Sequence, residues 1–343
     1  NFGAVVNDEG VAYNEGGVTG RYHDQLAQEL GNIRALNPER LTVVRIGLLD
    51  EGRSYFETQD QDDIIEDAVE FLRLAHQQGV MVEFTLADFL LFVNHPEALR
   101  DDTVRQGLTQ DFLPRLLEAI AEDPDAREAL FGIELVNEPE WLVSESENGA
   151  WEFVNPRERV AQPIPRAALE AYIREGKASI DRVNTNYGLG ILVTTGTSTP
   201  YADLLNSVDS ELDYRAVHHY AWMGEMRTWV PLLPDNKPWI LEAFPTQEGG
   251  VSVDPAFYLN QVLALQNPGE QYGHAAGAYA WMWKPLRPNA YLDDHADLTQ
   301  LSGINEWVLA HDNDILTSSS GSPYELPLPV ETVRIPSDPV SAP

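Results

Sequence analysis

Short apolar, β-branched runs alternate with longer amphipathic stretches along the chain, and this alternation restricts the fold more than any other feature. Strand-like runs are read at Phe2–Val6, Thr42–Gly47, Val80–Ala87, Phe131–Val136, Gly190–Thr195, Tyr214–Tyr220, Trp239–Phe244 and Gly277–Trp283. Helix-like stretches are read at His23–Leu36, Ile64–Gln78, Asp111–Ala121, Arg166–Thr185, Pro255–Gln266 and Gly303–Ala310. In the second of these, Ile64, Ala68, Phe71, Leu72 and Ala75 form one stripe at helical spacing, and Gly79 is placed to stop it. Strands separated by helices pair in parallel, and eight such units close into a (β/α)8 TIM barrel, a fold that commonly takes about 250 residues. The expectation is one such domain over residues 1–315. From Thr317 onward Ser, Pro and Gly dominate, so residues 316–343 are expected to be a Pro/Ser-rich tail or linker.

The charge narrows the partners. The chain carries 55 acidic and 22 basic residues, a formal net charge of -33. Such a surface repels nucleic acid and anionic membrane, so neither is expected as a partner. Lysine occurs only at Lys177, Lys237 and Lys284, a pattern that fits a salt-adapted or high-GC source, while a strongly acidic shell equally suits plain solubility. There is no cysteine, hence no disulfide and no thiol chemistry. No apolar run approaches the ~18 residues that a membrane span needs. The chain opens on Asn1-Phe2-Gly3-Ala4-Val5-Val6, already inside an expected strand, with no signal peptide in it.

Two strand ends carry the chemistry. Phe131–Trp141 reads FGIELVNEPEW: a strand-length run halted at Asn137-Glu138-Pro139. Pro139 cannot donate to a sheet ladder, so the strand is expected to stop there, and the residue before a proline is expected to be extended. An amide and a carboxylate are thereby held at the C-terminal end of a strand, the end at which α/β barrels keep their active sites. Lys237–Pro245 reads KPWILEAFP and delivers a second carboxylate, Glu242, in the same way. Two carboxylates brought to one barrel mouth are what glycoside hydrolysis uses.

At these strand ends the chain resembles clan A of the glycoside hydrolases, and GIELVNEP, HHYAW and KPWILE look most like the family-5 β-mannanases. The resemblance implies a retaining, endo-acting enzyme on a β-linked polysaccharide or oligosaccharide, with β-1,4-mannan favoured and β-1,4- or β-1,3-glucan as the alternative. It makes Glu138 the acid/base and Glu242 the nucleophile, without metal or cofactor. Glu138 is then expected to be protonated at rest, its pKa raised by the neighbouring negative Glu242. A secreted or extracytoplasmic monomer is expected.

The resemblance also assigns supporting roles. Asn137 would hydrogen-bond the sugar 2-hydroxyl. Arg45, within a strand, needs a carboxylate partner. The family pattern makes that partner Glu242, while Glu83 and Glu134, also within strands, are the structural alternatives. His218 and Tyr220 match a His-any-Tyr pattern, His218 toward the sugar or Glu138 and Tyr220 toward the nucleophile. His219 would face the other way by strand alternation. Trp283 matches the aromatic floor under the sugar. Trp141, Trp151, Trp222 and Trp229 lie in presumed loops and would either line further subsites or pack within those loops. One departure concerns the loop after strand three, where many relatives carry His or an Asn-rich segment. This chain has Asp88-Phe89-Leu90-Leu91-Phe92, which leaves the sugar specificity open.

Two rival readings remain. Asp293-Asp294-His295 with Asp297 would suit a loop-bound cation, against the plainer reading of a solvated acidic turn. A carbohydrate-binding barrel without catalysis would normally have lost one of the two carboxylates, and both are present here.

Overall fold

Seven strands run parallel in one sheet in chain order: β1 (Val43–Gly47), β2 (Met81–Thr85), β3 (Leu130–Asn137), β4 (Leu192–Thr197), β5 (Arg215–His218), β6 (Trp239–Pro245) and, beyond a two-residue hairpin of β7 (Gln247–Glu248) and β8 (Val251–Ser252), β9 (Ala275–Trp281). The computed structural model describes residues 23–36, 41–49, 55–56, 61–143, 164–197, 208–219, 225–226, 237–245, 247–248, 251–252, 255–265 and 275–281. The expected strand Phe2–Val6, the expected helix Gly303–Ala310, the boundary at residues 315/316 and the tail lie outside these residues. So do Trp151, Tyr220, Trp222, Trp229, Trp283 and the Asp293–Asp297 cluster.

The sheet is curled. β1 and β6 are separated by five strand pairings, which in a flat sheet would be about 24 Å. Yet Arg45 Nε on β1 lies 3.3 Å from Glu242 Oε1 on β6. Only a sheet rolled on itself brings the two together, so the described strands form a barrel-like wall.

Strand alternation then sorts the side chains. On the inner face Val43, Met81, Leu192, Tyr214, Ala216 and Ile240 cluster with Phe131 as an apolar layer. Two residues further along the strands, the same face carries Arg45, Glu83, Thr194, His218 and Glu242. A polar layer thus sits on an apolar one, toward the C-terminal ends of the strands. The outward residues of β2–β4 (Val82, Phe84, Ile133, Leu135 and Val193) are buried in the largest core. That core also takes the apolar stripes of α2 (Gln61–Gln77), of the helix Leu113–Glu122 and of the helix Arg166–Tyr187. Val217, Trp239 and Leu241 pack in the same way against the helix Pro255–Leu265.

Most element boundaries fall within a few residues of expectation, and Gly79 does end α2, at φ +67°. Three differ. The stretch expected to be helical from Asp111 is wound as a π-helix over Gly107–Phe112 and is regular only from Leu113. Pro114 has no N–H to give to the helical ladder, which favours a break in the winding there. The strand expected to reach Tyr220 ends at His218. Glu138 is not extended: it stands in the left-handed region at φ 50°, ψ 49°.

Candidate active site

Glu138 is the one non-glycine residue with positive φ among the described residues, a conformation that costs about 1–3 kcal/mol and persists only where neighbours enforce it. The neighbours here are specific. The Glu138 N–H donates to the Gly196 carbonyl at 2.9 Å, and the Trp141 N–H closes a short 3₁₀ turn onto the Glu138 carbonyl at 3.2 Å. The side chain is held as well. Trp141 Nε1 donates to Glu138 Oε2 at 2.8 Å, and His218 Nδ1 lies 2.7 Å from Glu138 Oε1. A following proline disfavours the right-handed helical region and pushes the residue before it toward extended backbone, and these contacts outweigh that extended alternative.

His218 joins the two candidate carboxyls. Its Nδ1 meets Glu138 and its Nε2 stands 3.3 Å from Glu242 Oε2. Burial would lower its pKa, but the bonds to Glu138 and Glu242 overcome that and push it up to about 10. His219 turns outward, as alternation predicts, and meets the Tyr258 ring edge-on with centroids 5.6 Å apart.

Glu242 is fully buried, whereas the Glu138 side chain keeps 13% of its surface exposed. Burial alone would raise the Glu242 pKa, but Arg45 and His218 outweigh it and bring it down to about 2. Arg45 divides its guanidinium. Nε and Nη2 donate to Glu134 Oε2 at 2.9 and 2.5 Å, Nη2 also donates to Asn137 Oδ1 at 2.7 Å, and Nε reaches Glu242 at 3.3 Å. The expected Glu242 partnership is present, yet the hydrogen-bonded partner is Glu134, the structural alternative. Glu134 is two residues further along β3 than Gly132, the register partner of Glu83, and so faces the same inner side as Arg45.

Glu134 is saturated with donors: Arg45 and the Thr85 hydroxyl at Oε2, and the Gly196 N–H at Oε1, 2.8 Å away. Burial and the charge of Glu242 still raise its pKa, against Arg45, to about 7. One ligand oxygen from each of Glu83, Glu134 and Glu242 falls within 4.8 Å of the others. A hard divalent cation would accept such oxygens, but the Arg45 guanidinium already lies against two of the three.

Asn137 is clamped at both ends, with Oδ1 on Arg45 and Nδ2 donating to Asp88 Oδ2 at 2.6 Å. Asp88 also caps the short helix Phe89–Asn94 through the Leu90 N–H. The segment that departs from the family pattern thus fixes the amide assigned to the sugar. Trp141 packs on Phe89 with ring centroids 6.2 Å apart, in addition to its bond to Glu138. The structure therefore brings together Arg45, Asn137, Glu138, Trp141, His218 and Glu242.

Sequence reasoning did not single out Gly196. A Cβ there would run into Glu134 Oε1 and Glu242 Oε2. Gly196 lies inside β4 as observed but one residue past the strand read from the sequence, and a glycine inside a strand marks a close approach. Gly196→Ala is expected to destabilise the fold by about 1–3 kcal/mol and to cut activity at least tenfold. Urea unfolding read beside turnover checks this, and an Ala variant equal to the parent in both would refute it. The raised pKa of His218 gives a second expectation. Its stabilising effect is fully present below its ordinary value of 6.5 and is lost as pH rises through about 10. Melting temperatures across that window should fall more for the parent than for His218→Gln.

No family model matches the chain, and no curated protein matches it. Solved structures do. An endo-1,4-β-mannanase from Eisenia fetida aligns at TM-score 0.60 and 21% identity, over 82% of this chain and 83% of that one. A β-mannanase from the blue mussel Mytilus edulis aligns at TM-score 0.58 and 17% identity, over 83% and 84%. A GH5_18 protein from Streptomyces cattleya, in complex with Manβ1-4GlcNAc, aligns at TM-score 0.58 and 15% identity, over 83% and 75%. At these identities the likeness is one of architecture alone: the curled parallel sheet of this chain is the TIM-barrel-like fold that these structures share.

Proposed function

We propose that the protein is a retaining, endo-acting glycoside hydrolase on β-linked polysaccharide, with β-1,4-mannan as the favoured substrate. The observation that carries this reading is the imidazole of His218, which touches both Glu138 and Glu242 and so sets them on the scale of one sugar linkage. Glu242, held ionised by Arg45 and His218, attacks the anomeric carbon, and the bond to the leaving oxygen breaks. Glu138 gives that oxygen a proton and is left as a carboxylate beside His218. The covalent ester cancels the charge of Glu242. Water then attacks the anomeric carbon, Glu138 takes the water's proton, and the electron pair of the ester bond returns to Glu242. Asn137 presents its amide to the 2-hydroxyl, oriented by Arg45 and Asp88.

The mannan preference rests on the strand-end text and on the names of the structural neighbours, among them the mannanases of Eisenia fetida and Mytilus edulis. β-1,4- or β-1,3-glucan is the second reading, since one hydroxyl orientation separates mannose from glucose. A panel of mannans and glucans with product sizing and anomeric analysis tests both. Internal cuts in mannan with retained configuration are expected. Release of single sugars from chain ends would remove the endo assignment, and inversion would remove the ester.

A further inference from the structure

Glu83 has no part in the scheme above, yet it lies fully buried on β2, in the same polar layer as Glu242. Four groups face it. Arg45 is its register partner on β1, and one carboxylate oxygen each of Glu134 on β3 and Glu242 on β6 lies within 4.8 Å of one of its own. The Tyr214 hydroxyl, just ahead of β5, donates to Glu83 Oε2 at 2.7 Å. Two carboxylates are both acceptors, so a hydrogen bond between Glu83 and Glu242 needs a proton on one of them. Glu242 has both Arg45 and His218 against it, two cations that keep it ionised, whereas Glu83 shares only Arg45 and accepts a hydrogen bond from a neutral phenol.

We propose that Glu83 stays protonated and donates a hydrogen bond to the Glu242 carboxylate, making it a positioning residue for the nucleophile. This rests on the reading of Glu242 given above. Burial, with Glu242 and Glu134 nearby, holds the Glu83 carboxyl well above the usual carboxylate range, consistent with that state. The donor fixes the rotamer of Glu242 in the first step. In the second step Glu242 departs from the anomeric carbon as a carboxylate, and a hydrogen bond to a leaving carboxylate stabilises it. Loss of the donor therefore slows breakdown of the ester more than its formation.

The test uses the full chain. At a pH well above that at which Glu134 ionises, infrared spectra of the parent should show the carbonyl band of a buried protonated carboxyl, and Glu83→Gln should lose it. Glu83→Gln keeps an N–H donor toward Glu242 and is expected to hold kcat within about threefold. Glu83→Leu removes the donor. On an aryl glycoside with a good leaving group it should lower kcat about tenfold to a hundredfold, with KM falling in step as ester accumulates. A band that persists in Glu83→Gln overturns the proposal. So does a folded Glu83→Leu with unchanged kcat and KM, or a folded Glu83→Gln as impaired as the Leu variant is expected to be. If Glu83→Leu does not fold, the band and the kcat of Glu83→Gln decide. Hydrolysis surviving in Glu242→Gln would instead remove the underlying reading, whatever Glu83 does.

Discussion

Glu242→Ala is expected to lose about four or more orders of magnitude in kcat while still melting cooperatively. The rate follows from the role: without the attacking carboxylate there is no ester, and what remains is binding and proton supply. The fold is expected to survive for a separate reason. Three buried carboxyls crowd one Arg45, and removing one relieves repulsion while Arg45 keeps its two hydrogen bonds to Glu134. Circular dichroism and thermal melting beside turnover on mannan check both halves. An unfolded variant would place Glu242 in the structure rather than the chemistry, and a variant with substantial activity would remove it from either.

Glu138→Ala is expected to separate two kinds of substrate. With a natural sugar leaving group, which must be protonated, the loss should be about a hundredfold to ten-thousandfold. With an activated aryl leaving group, ester formation should fall by less than about tenfold, because that group departs as an anion. Pre-steady-state and steady-state rates on both substrates are the measurement, and equal losses would take the acid role from Glu138. The backbone adds a second readout. At φ 50° a glycine is unstrained, so Glu138→Gly should be at least as stable as Glu138→Ala. In a helix or strand interior the order would be reversed.

Much of this geometry is visible in the chain because it is local. A strand's length, its stop at Pro139 and a carboxylate at its end are read from adjacent residues, and the structure ends β3 at Asn137. Alternation was sufficient to send His218 and His219 to opposite faces, since period two needs no knowledge of the partner strand. Partner choice was not legible. Whether Arg45 bonds Glu134 or Glu242 depends on how far the sheet curls and on strand register, including the shift between Glu134 and Asn137 in the pairing of β3 with β4. The left-handed turn at Glu138 was missed for a similar reason: its enforcing contacts come from Gly196 and His218, about 60 and 80 residues away in sequence. Glu83 and Glu134 were readable as charges inside apolar strands, but what each one does is set by the cluster they share.

The account rests on a covalent bond between the sugar and Glu242. An activated mannoside bearing fluorine at the second carbon slows ester breakdown and traps that bond, and peptide mass spectrometry then locates it. The account predicts one sugar per chain, attached to the peptide that contains Glu242, and no attachment in Glu242→Gln. Attachment at Glu83, Glu134 or Glu138, or turnover of mannan with inverted configuration and no trapped sugar, would contradict it.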